Sequence, residues 1–271
     1  MIAIEIGKLF RRPRTWLTIA MLDALPTLVA ILLAITHLGP RPGQGPAFLA
    51  AVLSNGSLFS VAALAIVLPL FLPIAVAVVA GDSIAGEAQA GTLRYLLIRP
   101  VGRTRLLVAK LVAVFAFVGV AVVVVASTGF LVGRLLLGNE PLSAAVTSVS
   151  GSNLTPTQIA IRTVIAISYV AFSMLGVAAI ALFLSTLTDS SLTASLGALA
   201  VLVGSSLLLT IDAARSLQPY LPTRYWLSFI DLFRDPILWH NVLRGVGLQA
   251  IYVAVSLGAA WANFTTKDVV S

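Results

Sequence analysis

Apolar residues gather into six runs, each about the length needed to cross a bilayer: Trp16 to Leu38, Leu58 to Ala80, Leu106 to Leu131, Ile159 to Leu184, Leu192 to Ile211 and Leu243 to Phe264. About 20 helical residues cover the roughly 30 Å of hydrocarbon in a membrane, so the pattern predicts an all-α polytopic membrane protein with six spans. The third run stays apolar as far as Leu137, which implies a tilted or protruding helix. Ahead of the first run, Ile2, Ile6 and Leu9 recur at helical spacing with Lys8 and Arg11 off their face. That spacing predicts a short amphipathic helix lying in the interface. The whole chain, 1–271, reads as a single transmembrane domain.

The polar positions are as informative as the apolar ones. Between the second and third runs lies an island, Gly81 to Lys110, with the sequence GDSIAGEAQAGTLRYLLIRPVGRTRLLVAK. So charged a loop belongs in water. Asp82 and Glu87 fall where the second span is expected to leave the membrane, and Gly86 and Gly91 weaken the helix there. Thr92 suits the N-cap of a new short helix whose apolar stripe is Leu93, Leu96 and Leu97. Pro100 cannot continue that helix and biases Arg99 towards an extended conformation. Arg103, Arg105 and Lys110 then mark the headgroup level at the start of span three. The stripe has two readings from the residues alone: leucines resting in lipid, or a lever seated in a groove on a cytoplasmic partner.

Composition narrows the class. Hydrophobic residues make up 59% of the chain and charged residues 10%, against about a quarter charged in a typical soluble domain. The net charge of +7 is that of positive-inside loops attracted to anionic membrane lipids, and it does not indicate nucleic acid. Basic residues cluster before span one (Lys8, Arg11, Arg12, Arg14) and between spans two and three (Arg94, Arg99, Arg103, Arg105). Both termini and the island are therefore expected in the cytoplasm, the protein sitting multi-pass in the plasma or inner membrane. The basic N-terminal region precedes a span longer than a signal h-region, so it is not read as a cleavable leader. Absence of cysteine excludes disulfides and thiolate chemistry.

Candidate chemistry is sparse. Asp23 stands about two turns into span one, ahead of Pro26, where an acid needs a partner or a path to water. It is a candidate pathway residue or a helix clasp. Arg162 is expected to snorkel to outer headgroups, and Pro69 and Pro73 to kink span two. The segment Asp212 to Val242 carries Tyr220, Tyr225, Trp226, Phe229, Phe233 and Trp239, which reads as an outer aromatic belt. Within it Trp226, Phe229 and Phe233 have helix-face spacing and are candidate exit residues. His37 and His240 form no His-Glu-x-x-His motif, and no catalytic or metal-binding set is evident. Gly86 to Thr92 has the glycine spacing of a phosphate loop but no lysine between Gly91 and Thr92, so the chain is not read as an enzyme or a nucleotide binder.

The island resembles the cytoplasmic loop of the ABC transporter type-2 permeases through Asp82, Glu87, Gly91, Thr92, Leu93, Leu96, Leu97, Pro100, Arg103 and Lys110. Outside the island the likeness is one of layout: a basic lead-in, six spans and an aromatic segment before the last. The resemblance implies a permease subunit of an exporter. Its loop helix would couple to a separate ATPase that binds ATP and Mg, with two permeases, identical or related, per assembly. It also implies that the aromatic segment forms short helices dipping into the outer leaflet. The alternatives are an ion-coupled secondary transporter and, less well matched, an intramembrane enzyme.

Overall fold

The computed structural model describes residues 1–36, 56–92, 102–137, 146–148, 150 and 152–266. Among them the architecture is a helical bundle: α1 (Ile2–Arg11), α2 (Pro13–Thr36), α3 (Phe59–Val67), α4 (Phe71–Gln89), α5 (Arg103–Leu136), α6 (Pro156–Leu187), α7 (Ser191–Leu208) and α8 (Trp239–Thr266). Among the described residues strand is confined to an antiparallel pair of two-residue strands, β1 (Val146–Thr147) and β2 (Asn153–Leu154). Six helices (α2, α4, α5, α6, α7 and α8) are long and apolar enough to cross a membrane.

The second span departs from expectation. Residues 58–80 are not one helix: α3 stops at Val67, and α4 begins at Phe71 and runs past Ala80 to Gln89. Pro69 has no N–H to give a helical rung, and Leu70 adopts φ −138°, ψ −59°, which breaks the ladder. Pro73 falls in the first turn of α4, where its missing donor costs nothing. The other spans start or end within about 2–4 residues of the reading, the usual error of sequence boundaries. The long third run is the 34-residue α5, about 51 Å at 1.5 Å per residue, which exceeds the hydrocarbon thickness.

α6 is the hub, packing on α3, α4, α5, α7 and α8 and on a 3₁₀ helix at Trp226–Phe233. Its start is fixed by a capping box, in which Thr155 Oγ1 accepts from Gln158 N and Gln158 Oε1 accepts from Thr155 N. α3 meets α5 through Gly129-Phe-Leu-Val-Gly133, a small-xxx-small face. A Cβ on Gly133 would fall on the Gly56 carbonyl oxygen, and one on Gly129 would come within 2.8 Å of Ala63 Cβ.

Several contacts gather distant parts of the chain at one end of the bundle. Lys110 reaches Glu5, Gln89 Oε1 accepts from Ser191 N and Oγ, Trp261 Nε1 donates to Thr104 Oγ1, and Asn263 Nδ2 donates to Thr186 O. The N-terminal helix, both flanks of the island, the α6–α7 turn and the end of α8 share that end.

Candidate functional site

The site grows from the helix that carries the first acids of the island. α4 ends at Gln89 and is capped by Gly91, whose φ of +68° only glycine adopts without strain. Gly91 N donates to Ala88 O, and Thr92 N donates to Glu87 O. Together these are the paired bonds of a Schellman cap. Thr92 Oγ1 also donates to Glu87 O, so the described contacts of Thr92 close α4. The short helix it was expected to start, with Leu93, Leu96, Leu97 and Pro100, lies outside the described residues. Arg103 is the first residue of α5, and its side chain is likewise outside them.

On the turn before that cap, Glu87 enters a closed ring of four charges. Lys110 Nζ lies 2.8 Å from Glu87 Oε2 and 3.4 Å from Glu5 Oε2, and Lys8 Nζ lies 2.8 Å from Glu5 Oε1 and 3.5 Å from Glu87 Oε1. The Glu87 Oε2 contact is an ion pair off the hydrogen-bonding direction. Lys110 also donates to Ser83 O at 2.6 Å, and with Glu5 Oε2 this gives the ammonium two acceptors beside the Glu87 carboxylate. The side chain of Lys110 is only 3% exposed, a depth tolerable for an ammonium only with paired charges around it. This corrects the reading of Lys110 as a headgroup marker. The island's first residues are likewise helical and paired, where a solvated loop was expected.

α1 supplies the other half of the ring, with its one acid turned inward: Glu5 is buried while Ile2 and Ile4 are exposed. Burial alone would push the Glu5 carboxyl up, but Lys110 and Lys8 outweigh it and hold it below the usual glutamate range. Burial opposes the charge on Lys8 too, and Glu5 and Glu87 overcome it, raising its pKa. The angle between α1 and α2 comes from Arg12-Pro13. Arg12 is extended at φ −81°, ψ 125° as a pre-proline residue prefers, and Pro13 takes the first position of α2. Thr15 Oγ1 and Trp16 Nε1 donate back to Leu9 O and Phe10 O, capping α1. Arg12 and Arg14 both pair with Asp82. Between α1, α4 and α5 these residues line a groove of about 600 Å³.

The island pattern singled out Asp82, Glu87 and Lys110, and the structure brings them together with Lys8, Arg12 and Arg14 of the N-terminal basic cluster and with Glu5, to which the sequence reading gave no role. One signal was present. Glu5 is the lone acid in the N-terminal stretch before Asp23, and an unneeded acid in a positive-inside segment points to a specific partner. Asp23 sits apart: its Oδ2 accepts from Thr128 Oγ1 of α5 at 3.3 Å, and its Oδ1 is buried without a partner among the described residues.

At the opposite end the aromatic segment folds inward. Trp226, Phe229 and Leu232 recur every third residue, the period of the 3₁₀ helix they occupy, and with Phe233 they are buried in the main core. The surroundings of Trp226, Phe229 and Phe233 are those of packing residues. Non-helical backbone among spans needs donors from its neighbours. Tyr169 donates to Tyr225 O, Gln249 to Pro222 O and Tyr252 to Tyr220 O. Gln249 and Tyr252 lie about 15–20 Å along α8 from Trp239 at 1.5 Å per residue, so the segment reaches deep between α6 and α8. Arg162 does not snorkel. It is buried, and its guanidinium donates to Leu232 O and Arg234 O, satisfying carbonyls at a helix C-terminus where a cation is favoured.

Six helices long and apolar enough to span, an inward-folded aromatic segment and a charged end built from the first helix and the island define a multi-pass membrane protein. The model of the ABC-2 family transporter protein matches residues 1–203, so the chain belongs to the ABC-2 transporter family. The match ends inside α7, leaving the aromatic segment and α8 beyond it. Members of this family are generally non-catalytic transport subunits that work with ABC ATPases. A comparison with curated proteins gave no match.

Proposed function

We propose that this chain is the permease subunit of an ATP-driven exporter, coupled through residues 81–105 to a separate cytoplasmic ATPase that holds ATP and Mg. The observation that carries the reading is the ring of Glu5, Lys8, Glu87 and Lys110. It clamps both flanks of the island, the end of α4 and the start of α5, to the N-terminal helix. A loop moored on both sides transmits a push on its tip into two spans at once, which a slack loop does not. Leu93, Leu96 and Leu97 are the side chains proposed to seat in the ATPase, with Thr92, Pro100 and Arg103 setting the length of the lever. Export is favoured by membership of the ABC-2 family and a second permease, the same or related, completes the assembly. The basic clusters support placing this end, with both termini, in the cytoplasm of a plasma or inner membrane. Trp226, Phe229 and Phe233 are proposed to hold the outer cap of the pathway by packing, with Asp23 facing the helix contact between α2 and α5.

The test is purification of the chain with the ATPase that accompanies it, followed by nucleotide hydrolysis with and without the permease. Equal amounts of the two subunits and permease-dependent hydrolysis are expected. Leu96→Asp or Leu97→Asp should insert normally and abolish the dependence, because a charge in an apolar groove costs several kcal/mol. Wild-type behaviour of both variants at normal expression would remove the lever.

A further inference from the structure

Two turns of α4, just before the cap at Gly91, are held by side chains of its neighbours. In an uninterrupted α-helix the Ala85 N–H donates to the Gly81 carbonyl. Here the hydroxyl of Ser185, from α6, bonds both groups of that rung: it accepts from Ala85 N at 2.8 Å and from Ile84 N at 3.1 Å, and donates to Gly81 O at 2.7 Å. The preceding carbonyl, Ala80 O, accepts from the Ser83 hydroxyl at 2.7 Å. Ser185 is fully buried, so water does not compete for these groups. A side chain inserted into the i→i−4 ladder is an established cause of helix bending. Gly81 also packs closely on α7, since a Cβ there would lie 2.5 Å from Ser195 Oγ.

We infer that Ser185 is a positioning residue for coupling: its hydroxyl sets the angle of α4 at Gly81–Ala85, and so fixes where Glu87 and the loop beyond it stand. The inference rests on the coupling role proposed above and adds to it a control point on α6. One hydroxyl serves three backbone groups of α4, so removing it leaves those groups to the helix's own ladder and swings the last turn. The Gln89–Ser191 contact carries the same motion into the α6–α7 turn.

The experiment has two arms, and both use the full chain in lipid nanodiscs. In the first, nitroxide labels on Ala90→Cys and Thr266→Cys report the position of the end of α4 without any ATPase. Ser185→Thr keeps the hydroxyl, and Ser185→Val has the same shape without it. The valine variant should shift the label distance by about 2–3 Å, the displacement a bend of about 20° gives over the roughly 7.5 Å from Ala85 to Ala90. The threonine variant and Ser195→Ala should match the parent. Equal distances in the threonine and valine variants, whether shifted or not, overturn the inference. In the second arm the copurified ATPase is added: Ser185→Val should lose permease-stimulated hydrolysis and Ser185→Thr keep it. Stimulation that survives in Ser185→Val also overturns the inference. Absence of stimulation by the parent chain defeats the coupling proposal instead, and the first arm then still decides the role of Ser185 in the angle of α4.

Discussion

Lys110 and Glu87 meet at 2.8 Å from opposite flanks of the island, with the ammonium almost entirely out of solvent. Neither residue's neighbours in sequence announce the contact. It exists because α1 closes over the ends of α4 and α5 and supplies Glu5 and Lys8 to balance the charges. Removing one partner of a buried pair leaves the other uncompensated, which costs about 3–5 kcal/mol. Lys110→Met should therefore destabilise the folded protein by about that amount, and Lys110→Met with Glu87→Gln by less than the sum of the two single changes. Thermal unfolding of the four proteins in one detergent checks this. Additive losses would show that the pair is incidental.

The docking of α1 should depend on pH in a defined way. Glu5 has a folded pKa below its ordinary value of 4.5, so its contribution is complete above that value and is lost as pH falls through the lowered pKa. Lys8 has a folded pKa above its ordinary value of 10.5, so its contribution is complete below that value and is lost as pH rises through the raised pKa. Labels on Ala3→Cys and Ala90→Cys should give an unchanged distance from about pH 5 to about pH 10, with loosening only outside that window. Loosening near neutrality would mean that the ring does not hold the helix.

Arg162 satisfies two carbonyls at the end of the Trp226–Phe233 helix. Arg162→Met keeps much of the volume and leaves both unpaired, at about 1–3 kcal/mol each. Faster amide exchange across residues 226–234, with little change in α1, is the expected outcome. Exchange unchanged in both regions would return Arg162 to a surface role.

The approach of α3 to α5 is tightest at Gly133. Gly133→Ala should destabilise by about 1–3 kcal/mol, the usual cost of overpacking. Gly119, on the same helix with nothing within 4 Å of an added Cβ, should tolerate alanine without loss. Denaturation midpoints of the two variants decide it, and equal midpoints would contradict the packing.

Span number and the approximate positions of every span but the second were legible in the sequence because hydrocarbon thickness dictates run length, whatever the tertiary structure. The break at Leu68–Leu70 was less so. Two prolines signal a kink, but whether the chain bends or stops depends on what fills the gap, here the packing of α3 on Gly129 and Gly133. Lys110 and Arg162 were misassigned for one shared reason. A basic residue near a span end has headgroups as its default partner, and only tertiary contacts reveal Glu87 or the Leu232 carbonyl as a better one. The burial of Trp226, Phe229 and Phe233 was hidden similarly, since helix-face spacing in an aromatic-rich stretch fits both a belt and a core.

Everything proposed for the loop requires its end of the bundle to face the cytoplasm. The native chain has no cysteine, so single sites report cleanly: Ala90 is exposed at the end of α4, and Asn153 is exposed near the opposite end, just before α6. An impermeant thiol reagent applied to intact cells should label Asn153→Cys and leave Ala90→Cys unlabelled until the cells are opened. Labelling of Ala90→Cys in sealed cells would put Glu87, Lys110 and the loop between them on the side where no ATPase can reach them, and the coupling account would fall.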